Sequence, residues 1–176
     1  EWSAHVHRLL ILNHLKEARV RLMVWQRKNK FETAIICQPL SILKESQSRE
    51  GFKASLLKLK KEKRYPPNIK SLDYAFLRKA FLAAQAQGCD EAVLVNSSGF
   101  LMEGTRANIF FVKNGILYTP TLESGCLKGI TRRYVIQLAK DLGILCKTVR
   151  AKPKELFEAD EAFLTNSLME IMPLVK

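Results

Sequence analysis

No apolar run in the 176 residues approaches the roughly 20 needed to cross a bilayer as a helix. None of the four cysteines, Cys37, Cys89, Cys126 and Cys146, belongs to a CxxC pair. The first absence argues against a membrane-spanning chain. The second, at this length, argues against a disulfide framework or a thiolate zinc site and leads us to expect a reduced, cytoplasmic protein. Histidine is scarce too: His5 and His7 form an HxH with no Cys or carboxylate at ligand spacing, so no metal is expected there. The plain reading is one exposed and one half-buried helix residue. The chain opens on Glu1 rather than Met and shows no signal-peptide pattern, as expected for a segment of a longer chain.

Acidic residues are also few, 17 against 29 basic ones, and the net charge of +12 raises the question of nucleic acid. Much of the excess sits in "KASLLKLKKEKRYPP", with Lys53, Lys58, Lys60, Lys61, Lys63 and Arg64 crowded together. No Gly-aromatic interleaving, RNP-like pattern or helix-turn-helix spacing accompanies them. A solvated basic face is the expectation, with neither nucleic acid nor membrane as partner.

What is present alternates between helix and strand patterns. Residues 3–17 read as a helix, "RVRLMVWQ" and "TAIICQPL" as strands, the second ended by Pro39. "GFKASLLKLK" fits a strand or a short helix. Pro66-Pro67 breaks the chain and places a boundary there, giving a remainder of a small α/β domain at 1–66 and a larger domain at 67–176. After Ile69, "SLDYAFLRKAFLAAQAQG" is a helix stopped by Gly88. Strands follow in "EAVLVN", "FLMEG", "IFFV" and "ILYT", the last two joined by the Asn114-Gly115 hairpin signal. "GITRRYVIQLAKDLGI" is a helix closed by Gly143, "CKTVRA" a strand, "PKELFEA" a short helix and "DEAFLTNS" a strand leading into a turn. The fold class is mixed α/β.

Three parts could do chemistry. Lys70, between Ile69 and Leu72, would be desolvated by apolar neighbours, which favours a neutral, nucleophilic amine. Glu103 interrupts an apolar strand just before Gly-Thr-Arg-Ala-Asn. Gly129-Ile130-Thr131 opens a helix whose first amides are free to meet an anion. Singly, each has a plain reading: a boundary lysine, a carboxylate paired with an arginine such as Arg106, a helix cap. Together, an amine for a Schiff base, a carboxylate for a ring nitrogen and helix-start amides for a phosphate are what pyridoxal phosphate requires.

"NIKSLDY", "LMEGTRANIFFVKNGILYTP", "GCLKGITR" and "ADEAFLTNSLMEIMP", in this order, resemble the class IV pyridoxal-phosphate aminotransferases over residues 68–173. That family, fold type IV, includes branched-chain aminotransferases, D-amino-acid aminotransferases and 4-amino-4-deoxychorismate lyases. The resemblance implies two α/β domains with the cofactor between them and a homodimer. It implies Lys70 as Schiff-base lysine and proton shuttle, Glu103 at the pyridine nitrogen and Tyr74 near the cofactor's phenolic oxygen. Leu127 would pack under the ring, Ile130 and Thr131 would hold the phosphate, and Asn166 and Ser167 would form a second phosphate-binding turn, with amides nearby for the substrate carboxylate. "HVHRL" at residues 5–9 imitates the family's phosphate-binding arginine setting, but a strand follows too soon. Arg8 is therefore read as part of a later helix, with the true arginine and the usual continuation after "MPLVK" outside this chain.

Three functions stay open. The leading one is transamination of amino acids to keto acids. The second keeps the cofactor and expels pyruvate from aminodeoxychorismate, a reading toward which "TNSLMEIMP" leans. The third is a basic, non-catalytic binding protein on the same fold, whose affinity for nucleic acid would fall steeply with salt.

Overall fold

The computed structural model describes residues 2–41, 49–59 and 69–175. The chain divides into two units between residues 42 and 43. The boundary expected at Pro66-Pro67 therefore moves. The prolines lie outside the described residues, but the stretch before them is a strand of the second unit's sheet. A proline pair breaks local structure; it does not report which strands pair across the chain.

The first unit holds helix α1 (Trp2–Leu12) and an antiparallel ribbon of β1 (Ala18–Arg27) and β2 (Lys30–Pro39). Arg8 lies within α1, and both His5 and His7 stand exposed on it, rather than one being half-buried. A single amphipathic helix beside two strands cannot bury either element fully, and no residue of α1 is buried.

The second unit begins with β3 (Phe52–Lys58), which settles the strand-or-helix ambiguity of that stretch. Helix α2 (Ala75–Gln85) follows, starting later than its sequence pattern suggests. Ser71 Oγ accepts the Asp73 amide and Asp73 Oδ1 the Ala75 amide, so these short polar side chains hold a turn ahead of the helix. Then come β4 (Glu91–Val95), β5 (Leu101–Gly104), β6 (Asn108–Lys113), β7 (Ile116–Pro120), helix α3 (Ile130–Asp141), β8 (Cys146–Val149), the short helix α4 (Pro153–Phe157), β9 (Glu161–Asn166) and β10 (Glu170–Val175). No strand was expected after the turn that follows "DEAFLTNS", yet β10 lies there and contains Pro173. The structure accommodates that proline at the edge of the parallel ladder, which joins β10 to β3 only at Leu174 and Val175.

The eight strands lie in the order β5-β4-β3-β10-β9-β6-β7-β8. Alternation along them sorts side chains to two faces. Val93 and Val95 of β4, Ile109 and Phe111 of β6, and Leu164 of β9 share one core with Leu101, Ala151 and Met172. The opposite face is split between two helices. Leu94 and Met102 pack with Ala80 of α2, while Phe110, Val112 and Phe163 pack with Val135, Ile136 and Ala139 of α3. Each large apolar side chain buried this way contributes about 1.5–3 kcal/mol. Among the described residues, no helix is long and apolar enough to cross a membrane.

Candidate active site

The pairing of β4 with β5 contains a bulge. Val95 faces Leu101 and Val93 faces Gly104, so two residues, Met102 and Glu103, stand opposite Leu94 alone. Strict alternation would turn Glu103 to the same side as Leu101, into the common core. The extra residue instead sends Glu103 to the helix-covered face with Met102. This is how a carboxylate occupies an apolar strand without being buried among apolar neighbours.

On that face Glu103, only 7% exposed, meets the approach to α3. Its Oε2 accepts the Leu127 amide at 2.8 Å and the Asn108 side-chain amide at 3.3 Å. The same Asn108 Nδ2 donates to Leu127 O at 2.9 Å. Two donors on one oxygen suit an ionised carboxylate, which can only accept. Asn108 starts β6 and shares the face of Phe110, so it lies under the start of α3. A Cβ at Gly129 would overlap Asn108 Oδ1, so a larger residue there would displace the Asn108 side chain.

Gly129 is the N-cap of α3, and no side chain caps it. The amides of Ile130 and Thr131 are therefore left for another acceptor, at the positive end of the helix dipole. Beside Asn108 on the neighbouring strand stands Thr165, which shares the α3-covered face with Phe163. Its hydroxyl is buried and has no hydrogen-bond partner among the described residues. A native structure rarely leaves such a group unsatisfied; a ligand with acceptor oxygens would answer it. The turn after β9 is closed by Asn166, whose Oδ1 accepts the amides of Leu168 and Met169, each at 2.9 Å. Asn166 Nδ2 reaches back to Arg106 O at 3.2 Å, so this turn is tied to the chain just before Asn108. Ser167 lies exposed in the same turn.

The structure thus brings Glu103, Leu127, the 129–131 helix start and, through Arg106 and Thr165, the 166–167 turn into one neighbourhood. Lys70 and Tyr74 are on a different element, the approach to α2, where Tyr74 is the N-cap. Both are exposed, and so are Ile69 and Leu72, so the expected desolvation of Lys70 by its neighbours is not found. Flanking apolar residues shield a side chain only when they are themselves covered. The Glu103–Arg106 pairing weighed above is not the contact that either residue's geometry emphasises. Arg106 lies 3.5 Å from Glu91 and stacks on the ring of Phe81, 3.8 Å from its centroid. Lys53 and Lys58 are exposed on β3, whereas Lys60, Lys61, Lys63 and Arg64 fall outside the described residues.

Asn108, Thr165 and Arg132 were not anticipated. Asn108 had a legible signal, a polar residue opening the apolar run "IFFV" on its helix-facing side. Arg132 had one as well, since it falls on the same helical row as Val135, Ile136 and Ala139. Thr165 had none, because threonine is an ordinary strand former. Cys126, next to Leu127, is no nucleophile: burial pushes its thiol up to about 11.

Amino-transferase class IV is the family whose model matches residues 1–176. An aminodeoxychorismate lyase of Bacillus subtilis is 43% identical over 86 residues, 49% of this chain and 29% of the relative. A branched-chain-amino-acid aminotransferase of Pseudomonas aeruginosa is 38% identical over 95 residues, 54% of this chain and 31% of the relative. Among solved structures, the branched-chain aminotransferase of Thermoproteus uzoniensis with norvaline superposes with a TM-score of 0.88 at 31% identity, covering 99% of this chain and 62% of that one. The T.th. branched-chain amino acid aminotransferase with pyridoxamine 5'-phosphate does so at 0.79 and 29% identity, covering 94% and 58%. The chain spans about a third of the two curated relatives and about three fifths of the two solved structures.

Proposed function

Since the chain belongs to the class IV aminotransferase family, we propose that it is the cofactor-holding part of a pyridoxal-phosphate enzyme that transaminates amino acids of branched-chain or D-amino-acid type. The observation that carries this reading is the bulge-aimed Glu103, set beside an uncapped helix start and a buried, unpartnered Thr165 hydroxyl. The donor set fits the cofactor: one carboxylate for a basic ring nitrogen, amides and hydroxyls for a phosphate. Pyridoxal phosphate, when bound, supplies a reactive carbonyl and a ring that takes up the electron pair left at the substrate Cα.

The remaining work falls to the chain. Glu103, fixed by Leu127 and Asn108, holds a proton on the ring nitrogen. Leu127 would hold the ring, and Tyr74 would serve its phenolic oxygen. The Ile130 and Thr131 amides, with Asn166 and Ser167, hold the phosphate without exchanging protons with the reacting atoms. Lys70 would be the residue that holds the cofactor's carbonyl and moves the proton at the substrate Cα. A homodimer in the reducing cytoplasm accords with the family and with four free cysteines.

A second reading keeps every one of these roles and ends in expulsion of pyruvate from aminodeoxychorismate. It is favoured by the likeness to the Bacillus subtilis lyase and by the closed Asn166–Met169 turn in "TNSLME". One experiment separates the two. Loaded protein is mixed with single L- or D-amino acids and no keto acid, and the cofactor's violet absorbance is followed. Bleaching by an amino acid supports transamination. A stable spectrum together with pyruvate release from aminodeoxychorismate supports the lyase. A stable spectrum without pyruvate release rejects both.

A further inference from the structure

Helix α3 is held to the sheet through a buried cation. Arg132, its third residue, is only 6% exposed and occupies the row that otherwise carries Val135, Ile136 and Ala139. Its Nη2 donates to Pro120 O at 2.8 Å and its Nε to Thr119 Oγ1 at 3.3 Å. The Thr119 hydroxyl donates in turn to Ile109 O at 2.8 Å. A continuous polar link therefore runs from β6 through β7 into the first turn of α3, in a layer where apolar packing would suffice.

A buried guanidinium is costly unless a counter-charge accompanies it. Among the described residues Arg132 forms no ion pair. Arg132 belongs to the same helical turn as the uncapped amides of Ile130 and Thr131, where the helix dipole is also positive, while its guanidinium is held at Thr119 and Pro120 and also acts on the exposed Glu123 carboxyl. Two positive features converge on the helix start, and an anion bound there would benefit from both. An apolar side chain of the same length would pack this row but would supply neither the charge nor the tie to Pro120.

We propose that Arg132 is a positioning residue for the cofactor's phosphate. It fixes the first turn of α3 against the end of β7 through Thr119 and Pro120, and it places a buried positive charge behind the Ile130 and Thr131 amides that meet the dianion. This rests on the pyridoxal-phosphate reading given above.

The test compares two ligands that differ only in the phosphate. Equilibrium binding of pyridoxal 5'-phosphate and of pyridoxal is measured on the full chain, for the wild type, Arg132→Met, Arg132→Lys and Thr119→Val. The expected result is a loss of about tenfold in affinity of Arg132→Met for the phosphorylated ligand, with affinity for pyridoxal unchanged. Arg132→Lys should recover part of the loss, and Thr119→Val should show a smaller loss with the same selectivity. Equal losses for both ligands, or none for either, overturn the proposal, because a merely structural arginine would not distinguish them. If Arg132→Met does not fold, an unchanged ratio in both Arg132→Lys and Thr119→Val overturns it equally. A wild type that binds the two ligands alike rejects the pyridoxal-phosphate reading itself, a separate outcome from failure of the arginine's role.

Discussion

Asn108 holds the carboxylate and the helix approach with a single NH2 group, donating to Glu103 Oε2 and to Leu127 O. The precision asked of Glu103 is thereby shared among three residues, and its charge can be removed without dismantling the turn. Glu103→Gln keeps an oxygen for the Leu127 amide but cannot hold a ring proton as a carboxylate does. Cofactor should stay bound while exchange of the substrate Cα hydrogen slows by about 10²-fold, the lower end of what a proton-handling group contributes. Exchange at the wild-type rate would remove Glu103 from this role. Lys70→Ala should lower turnover by at least about 10²-fold for the same reason; steady-state assays retaining more than about one-hundredth of activity would reject Lys70 as the moving base. The two residues differ in how far the sequence revealed them. Glu103 was legible because a carboxylate in an apolar strand demands a reason. Lys70 was singled out for its apolar neighbours, but the shielding expected from Ile69 and Leu72 is absent, since sequence neighbours along an exposed segment do not cover one another.

The bulge in β5 and the junction of β6 with α3 are where element geometry decides chemistry. Gly129→Ala would drive a methyl into Asn108 Oδ1, so Asn108 must turn away from Glu103 and Leu127. A loss of about 1–3 kcal/mol in urea denaturation is expected from such overpacking, together with weaker cofactor binding; unchanged values for both would show that the junction yields freely. The hairpin between β6 and β7 makes a contrasting case. Asn114 and Gly115 both take positive φ, 51° and 71°, as the primed hairpin turn requires. Gly115→Ala should cost about 1 kcal/mol in the same measurement, and its remoteness from Glu103 should leave cofactor affinity intact. That hairpin was readable from two letters because its cause is local. The β5 bulge was not, since it is defined by what β4 places opposite. β10 was hidden for a like reason, its proline being tolerable only at the edge of a ladder whose partner lies far back in the chain.

At the scale of the molecule, mixed α/β architecture was evident from alternating helical and strand periods, but the strand order was not. Periodicity says which residues form a strand and which face is covered; it says nothing of which distant strand lies alongside. The homodimer proposed above is tested at this scale. Light scattering on the full chain should give twice the protomer mass, and a monomer with full activity would reject the dimer. The strand order also bears on how the chain is made. β10 sits between β3 and β9, and among the described residues it is the strand whose ladders link β3, β4 and β5 to β6, β7, β8 and β9. Among the described strands β10 is the last to be synthesised, directly after β9. Without its six residues β3 and β9 would each present an unpaired edge. A chain lacking this strand would present both edges to other copies, and unpaired edges are the features most open to mispairing.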